Sequence, residues 1–176
     1  KPVISDEPVV VESIQPEEMP QETSEEASAP VTEEVAVSAE PSLEVVHPVQ
    51  GDTVAVFSVD TLSYDETLGD WRTHDGLDIA AELGTPVAAC AKGTVTDVST
   101  DDMMGVTVTV DHGKGMESVY SNLAESVNVQ PGTEVEAGTV IGTVGTTAVS
   151  ESADASHLHF SMREYGVAID PLNYLH

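Results

Sequence analysis

Four side chains carry the chemistry this sequence can offer: His74 and Asp78, four residues apart, and His157 and His159, two apart and far downstream. Zinc takes neutral imidazole nitrogen and carboxylate oxygen at about 2.0 to 2.2 Å, and a catalytic zinc keeps three protein ligands and one open position for water. Two imidazoles and one carboxylate complete such a set, which points to a zinc hydrolase site on a small β domain. A bound metal lowers the pKa of its water toward the range where histidine titrates, so the remaining histidine is placed to take or stabilise a proton. Spacing alone leaves open which of His157 and His159 binds and which assists.

The geometry demands a bend. On a strand, residues i and i+4 share a face but stand roughly 13 Å apart at 3.3 Å per residue, too far for one ion. The chain between His74 and Asp78 must therefore turn, and Gly76 is the residue expected to permit it. His157 and His159 fall in an alternating run, His157-Leu158-His159-Phe160, that predicts a strand with both histidines on one face and Leu158 and Phe160 on the other.

The elements that position these residues read as all-β. From Val45 onward short β-branched runs alternate with glycine and proline. Strands are predicted at 54–58, 76–80, 86–90, 93–98, 106–110, 117–120, 139–145 and 157–163. Gly113-Lys114-Gly115 is a hairpin turn, Tyr64 to Arg72 a loop carrying Trp71, Ala148 to Ser156 an acidic loop, and Asp170 to Leu175 a short helical turn.

Composition sets the limits. The 176 residues hold 32 acids against 5 bases, a formal charge of −27 that repels nucleic acid and an anionic membrane surface. Residues 1–44 contain twelve acids, one base, six prolines and no aromatic residue, and read as a disordered acidic linker before a domain at 45–176. The single cysteine, Cys90, rules out an internal disulfide. No run reaches the roughly 20 apolar residues of a membrane span, so any anchor or signal is expected upstream of Lys1.

Other candidates take structural readings. His112 is expected as a turn histidine, His47 and His176 as surface residues, and Cys90 as a small buried residue with no histidine near it in sequence. Met103-Met104 at a hairpin tip is a contact patch or loose loop packing. Glu151 to Asp154 reads as a solvated acidic loop rather than a second cation site.

The stretches His74-Asp75-Gly76-Leu77-Asp78-Ile79-Ala80, Gly84-Thr85-Pro86-Val87, Gly138-Thr139-Val140-Ile141-Gly142 and His157-Leu158-His159-Phe160 together resemble the lysostaphin/LytM-type zinc endopeptidases over residues 46 to 175. The resemblance implies a compact antiparallel β-sheet or sandwich domain, of the duplicated hybrid motif type, whose groove cuts peptides of bacterial peptidoglycan. It assigns His74, Asp78 and His159 as zinc ligands and His157 as the catalytic histidine beside the water. That family has a second catalytic histidine in a Tyr-x-His-Leu stretch, and here Tyr120-Ser121-Asn122-Leu123 puts Asn122 in its place. An amide can hydrogen-bond to a developing oxyanion but exchanges no proton near pH 7, so turnover is expected to fall on the order of 100-fold.

Asp70-Trp71-Arg72-Thr73-His74, the Tyr64 to Gly69 stretch, the Tyr-x-Asn-Leu form and Asp170 to Leu175 are similar to the stage II sporulation protein Q (SpoIIQ) group. This resemblance implies an extracytoplasmic, membrane-anchored domain that docks a protein partner in an intermembrane complex of sporulation. Two functions follow: a zinc endopeptidase on peptidoglycan peptides, weakened by Asn122, or a zinc-binding module of little or no activity that works by docking a partner.

Overall fold

A computed structural model describes Leu43 and residues 45–65 and 67–175. The linker expected over 1–44 lies outside these residues except for Leu43, and so does His176. The described chain is all-β, with one short 3-10 turn and no α-helix among the described residues. No helix there is long and apolar enough to cross a membrane.

Twelve strands follow in chain order: β1 Thr53–Ala55, β2 Ser58–Asp65, β3 Asp70–His74, β4 Leu77–Ala80, β5 Pro86–Ala88, β6 Gly93–Asp101, β7 Gly105–Asp111, β8 Met116–Leu123, β9 Glu134–Val135, β10 Val140–Thr143, β11 His157–Glu164 and β12 Val167–Ile169. The main sheet is antiparallel in the order β1-β4-β11-β8-β7-β6-β9, with β12 on the far half of β11. Two ribbons, β5 with β10 and β2 with β3, complete the fold. The helical turn expected near the C-terminus is a 3-10 turn at Pro171–Asn173, capped by Asp170.

Strand register separates core from site. Leu77, Phe160, Tyr120 and Val108 are cross-strand partners in one row over β4, β11, β8 and β7. All four are essentially buried, and the Tyr120 and Phe160 rings pack with centroids 5.3 Å apart. Burying each large side chain contributes roughly 1.5–3 kcal/mol, so this row pins the register of the central strands. The next row, Asp78, His159 and Ser121, is one residue along on each strand. Because side chains alternate, it points to the opposite face.

Two local readings are corrected. The expected strand at 54–58 is split, with β1 ending at Ala55 and β2 starting at Ser58. The expected Tyr64 to Arg72 loop is the closing half of the β2–β3 hairpin. Its turn is held by Asp65, whose side chain accepts from the Leu68 N–H and whose carbonyl accepts from the Gly69 N–H. Gly69, with φ of 69°, takes the left-handed position. Tyr64 and Trp71 face each other across the ribbon as an edge-on ring pair 5.7 Å apart, and Arg72 pairs with Asp65 and Asp70.

Candidate metal centre

His74 is the last residue of β3 and Asp78 the second of β4, so the chain folds back between them at Asp75-Gly76. The bend exists, but Gly76 is not among the residues at positive φ. Its glycine answers a different need. A Cβ there would lie 2.7 Å from His159 Nε2 and 2.8 Å from the Phe160 carbonyl oxygen. Glycine lets the bend lie flat against β11 and leaves room for the His159 ring.

The three expected ligands converge. Asp78 Oδ1 stands 3.2 Å from His74 Nε2 and 2.8 Å from His159 Nδ1, and the two nitrogens are 3.3 Å apart. Two donors held about 2.0–2.1 Å from one tetrahedral ion stand roughly 3.3 Å apart, so these separations fit the edges of a single coordination sphere. The outer face of His74 is fixed as a ligand needs: its Nδ1 lies 2.9 Å from the Val56 carbonyl, which sets Nε2 free to bind. His159 Nε2 is buried without a hydrogen-bond partner, with Asp75 Oδ1 the nearest acid at 3.8 Å. The donor set and its spacing fit zinc.

His157 lies beside this set. Its Nδ1 is 2.7 Å from the Ala155 carbonyl and its Nε2 is 2.9 Å from Glu151 Oε2. Burial works against charge on the ring, but the Glu151 hydrogen bond and the Ala155 carbonyl outweigh it and raise its pKa to about 9. His159 is likewise opposed by burial and raised to about 10 by Asp78 and Glu151. Burial pushes the Asp78 carboxyl up, yet His159 and His74 together hold it well below the usual carboxylate range. Glu151 meets the same opposition, and His157 and His159 hold it at about 2. Without metal, the carboxylates favour a proton on the imidazoles, and the imidazoles favour charge on the carboxylates.

Glu151 is the residue that sequence reasoning missed. It does not lie in a solvated loop: its carboxylate reaches His157, and Oε1 is 3.3 Å from His159 Nδ1. A groove of about 630 Å³ runs over the centre, lined by Tyr64, Asp65, Arg72, Asp154 and Ala155 among others. Trp71, on the same ribbon, is 65% exposed and not among its lining residues.

Asn122, expected in place of a second catalytic histidine, has both ends of its amide on main chain. It is 3% exposed and adopts a φ of 60°, a left-handed conformation that asparagine tolerates better than most residues. Its Nδ2 donates to the His157 carbonyl at 3.2 Å, and its Oδ1 accepts from the Ala148 N–H at 3.1 Å. The amide ties β8 to the start of β11 and to the loop before it. Away from the centre, the fold brings His112 Nε2 within 3.8 Å of Cys90 Sγ, and the same nitrogen is 2.7 Å from Ser118 Oγ. Burial raises the Cys90 pKa, which keeps the thiol protonated.

A family model, peptidase family M23, matches residues 72–171. This chain belongs to peptidase family M23. The matched residues include all of His74, Asp78, Asn122, Glu151, His157 and His159. The chain is 38% identical over 116 residues to stage II sporulation protein Q of Bacillus subtilis, covering 65% of this chain and 39% of that protein. It is 37% identical over 106 residues to the DD-carboxypeptidase/endopeptidase Mpg of Neisseria meningitidis, covering 60% of this chain and 24% of the relative. The chain thus spans well under half the length of either protein. A solved structure of the SpoIIQ–SpoIIIAH pore-forming complex superposes with a TM-score of 0.65 at 29% identity, over 76% of this chain and 91% of that one. The antiparallel LytM-type architecture expected from sequence is the one found.

Proposed function

We propose that this chain is the zinc-binding, endopeptidase-type domain of an extracytoplasmic protein, anchored to a membrane by a segment upstream, and that it acts on peptides of bacterial peptidoglycan. The observation that carries this reading is the convergence of His74 Nε2, Asp78 Oδ1 and His159 Nδ1 within 2.8 to 3.3 Å of one another, beneath a groove. Membership of a peptidase family and the likeness to an endopeptidase support it.

Bound zinc supplies an activated water and polarises a carbonyl. The chain's own residues do the rest. His157, anchored through Nδ1 to Ala155 and paired through Nε2 with Glu151, is the proton-carrying group beside the ligands, available where charge grows on a scissile carbonyl once that pair opens. Asn122 acts as a positioning residue: by holding the His157 carbonyl and Ala148 it fixes the imidazole without touching substrate. This leaves one proton-exchanging histidine at the centre and keeps turnover low.

A second reading has its own observation. The β2–β3 ribbon leaves Val59, Leu62, Tyr64 and Trp71 all more than 40% exposed on a projecting hairpin. Together with the likeness to SpoIIQ in its complex with SpoIIIAH, this supports a docking role in a sporulation complex.

Metal analysis of the purified chain, joined to digestion of isolated sacculi with His157→Ala as control, tests the first reading. One zinc per chain and soluble peptides absent from the control are expected. Stoichiometric zinc without released peptides would sink the enzyme reading, and no bound zinc would sink the ligand set. Binding to a SpoIIIAH-type protein that is unchanged in Trp71→Ala and Leu62→Ser would remove the ribbon from the second reading.

A further inference from the structure

The loop between β10 and β11 brings the Glu151 carboxylate against the centre. Glu151 Oε1 stands 3.3 Å from His159 Nδ1, the same separation that His74 Nε2 keeps from that atom. This is the spacing of two donors on one tetrahedral ion, roughly 3.3 Å. Asp78, Glu151 and His157 also offer ligand atoms that all lie within 4.8 Å of one another, so the carboxylate faces Asp78 as well.

Glu151 is held there by its surroundings. The Val149 N–H donates to the Asp102 carbonyl at 3.0 Å, and the Ser150 hydroxyl donates to the Met103 carbonyl, so the residues before Glu151 are pinned to the β6–β7 turn. After it, the Asp154 N–H donates to the Glu151 carbonyl at 3.1 Å. His157 Nε2 orients the far oxygen at 2.9 Å, as a hydrogen bond to the second oxygen of a ligating carboxylate does.

We propose that Glu151 is a fourth protein ligand of the metal site, so that the resting site is closed and the carboxylate has to leave before a peptide carbonyl can reach the metal. This rests on the zinc reading of His74, Asp78 and His159 and deepens it. A closed four-ligand set is the arrangement of structural zinc, and three ligands plus an open position that of catalytic zinc. The loop from 148 to 156 is then a strap, and its ties to the turn at Asp102-Met103 are what hold it shut. A carboxylate acting only as a proton acceptor for water would need no such approach to His159.

The test uses the purified chain with zinc removed and restored. Zinc affinity is measured by competition with a chromophoric chelator for the unaltered chain, Glu151→Gln, Glu151→Ala and Asp154→Asn. Loss of the ligand is expected to weaken binding by at least ~10-fold in both Glu151 variants, comparable to or above what outer partners of a metal site cost. Cobalt(II) substitution gives a second readout that does not depend on turnover. Added azide should leave the visible spectrum of the unaltered protein unchanged and should shift that of Glu151→Ala, whose site has an open position.

Affinity unchanged in both Glu151 variants while the unaltered chain binds zinc overturns the proposal. So does an azide response that is the same with and without Glu151, or a loss in Asp154→Asn as large as in Glu151→Gln, which would make the effect one of loop charge. Failure of the unaltered chain to bind zinc overturns instead the reading on which the proposal rests.

Discussion

Asp78 on β4 and His159 on β11 are direct cross-strand partners, with Asp78 Oδ1 2.8 Å from His159 Nδ1. Two of the three expected ligands thus owe their meeting to sheet register, and the third, His74, is added by a bend at the strand's start. On the reverse face Leu77 opposes Phe160, one residue away on each strand. A core contact and a polar contact therefore lock the same register from both sides of the sheet. A slip of one residue would exchange them.

Asp78→Asn tests that relationship. Asparagine keeps the shape but offers a neutral oxygen to the metal and to two imidazoles. Zinc affinity is expected to fall more than the ~10–100-fold typical of an outer partner. Chelator competition measures it, and a variant binding zinc as tightly as the unaltered chain would remove Asp78 from the ligand set.

Gly76→Ala is expected to destabilise the fold by roughly 1–3 kcal/mol, the usual cost of overpacking a close-packed interior. The added methyl meets the His159 ring and the Phe160 carbonyl, and backbone on β11 cannot give way as a flexible side chain could. Urea unfolding followed by far-ultraviolet circular dichroism measures the loss. The same variant should lose zinc affinity if the displaced His159 ring binds the metal as proposed.

The convergence of His74, Asp78 and His159 was legible because few residue types suit a metal, and because an alternating strand left His157 and His159 in phase. The central strands were legible for the same period-two reason: Val106, Val108 and Val110 alternate with threonines in the expected strand, and all three are buried. The β2–β3 hairpin was not, since a ribbon exposed on both sides carries no hydrophobic alternation. Glu151 was hidden because a loop residue has no period, and its approach to His159 depends on ties to Asp102 and Met103 that are distant in sequence. Gly76 was read for its turn when the deciding fact was a ring across the sheet. Asn122 was read as a replaced catalytic group, while its partners are main-chain atoms that no spacing rule shows.

Asn122→Asp separates positioning from chemistry. A carboxylate oxygen would replace the amide N–H that faces the His157 carbonyl, setting two acceptors against each other. The expected cost is about 1–3 kcal/mol, that of leaving a buried polar group without its partner. Thermal unfolding reads the loss. A variant as stable as the unaltered chain would show that the amide does not hold β11.

The charge state of the centre predicts opposite pH profiles with and without metal. In the metal-free protein His157 and His159 keep their protons up to about 9 and about 10, against about 6.5 in an unfolded chain. Raised folded values contribute stability that is complete below about pH 6.5 and is lost as pH climbs through 9 and 10. Glu151, held at about 2, and Asp78, also lowered, contribute stability present above their unfolded values near 4 and lost as pH falls. Metal-free thermal stability should therefore peak between about pH 5 and 6.5 and decline on both sides. Zinc requires neutral His74 and His159, both of which hold protons more tightly than a free histidine, so its binding releases protons and strengthens as pH rises. Unfolding temperatures in chelator and in excess zinc, compared across pH, should show a gap that widens from acid toward alkaline solution. A gap that stays constant would mean that zinc does not bind through these histidines.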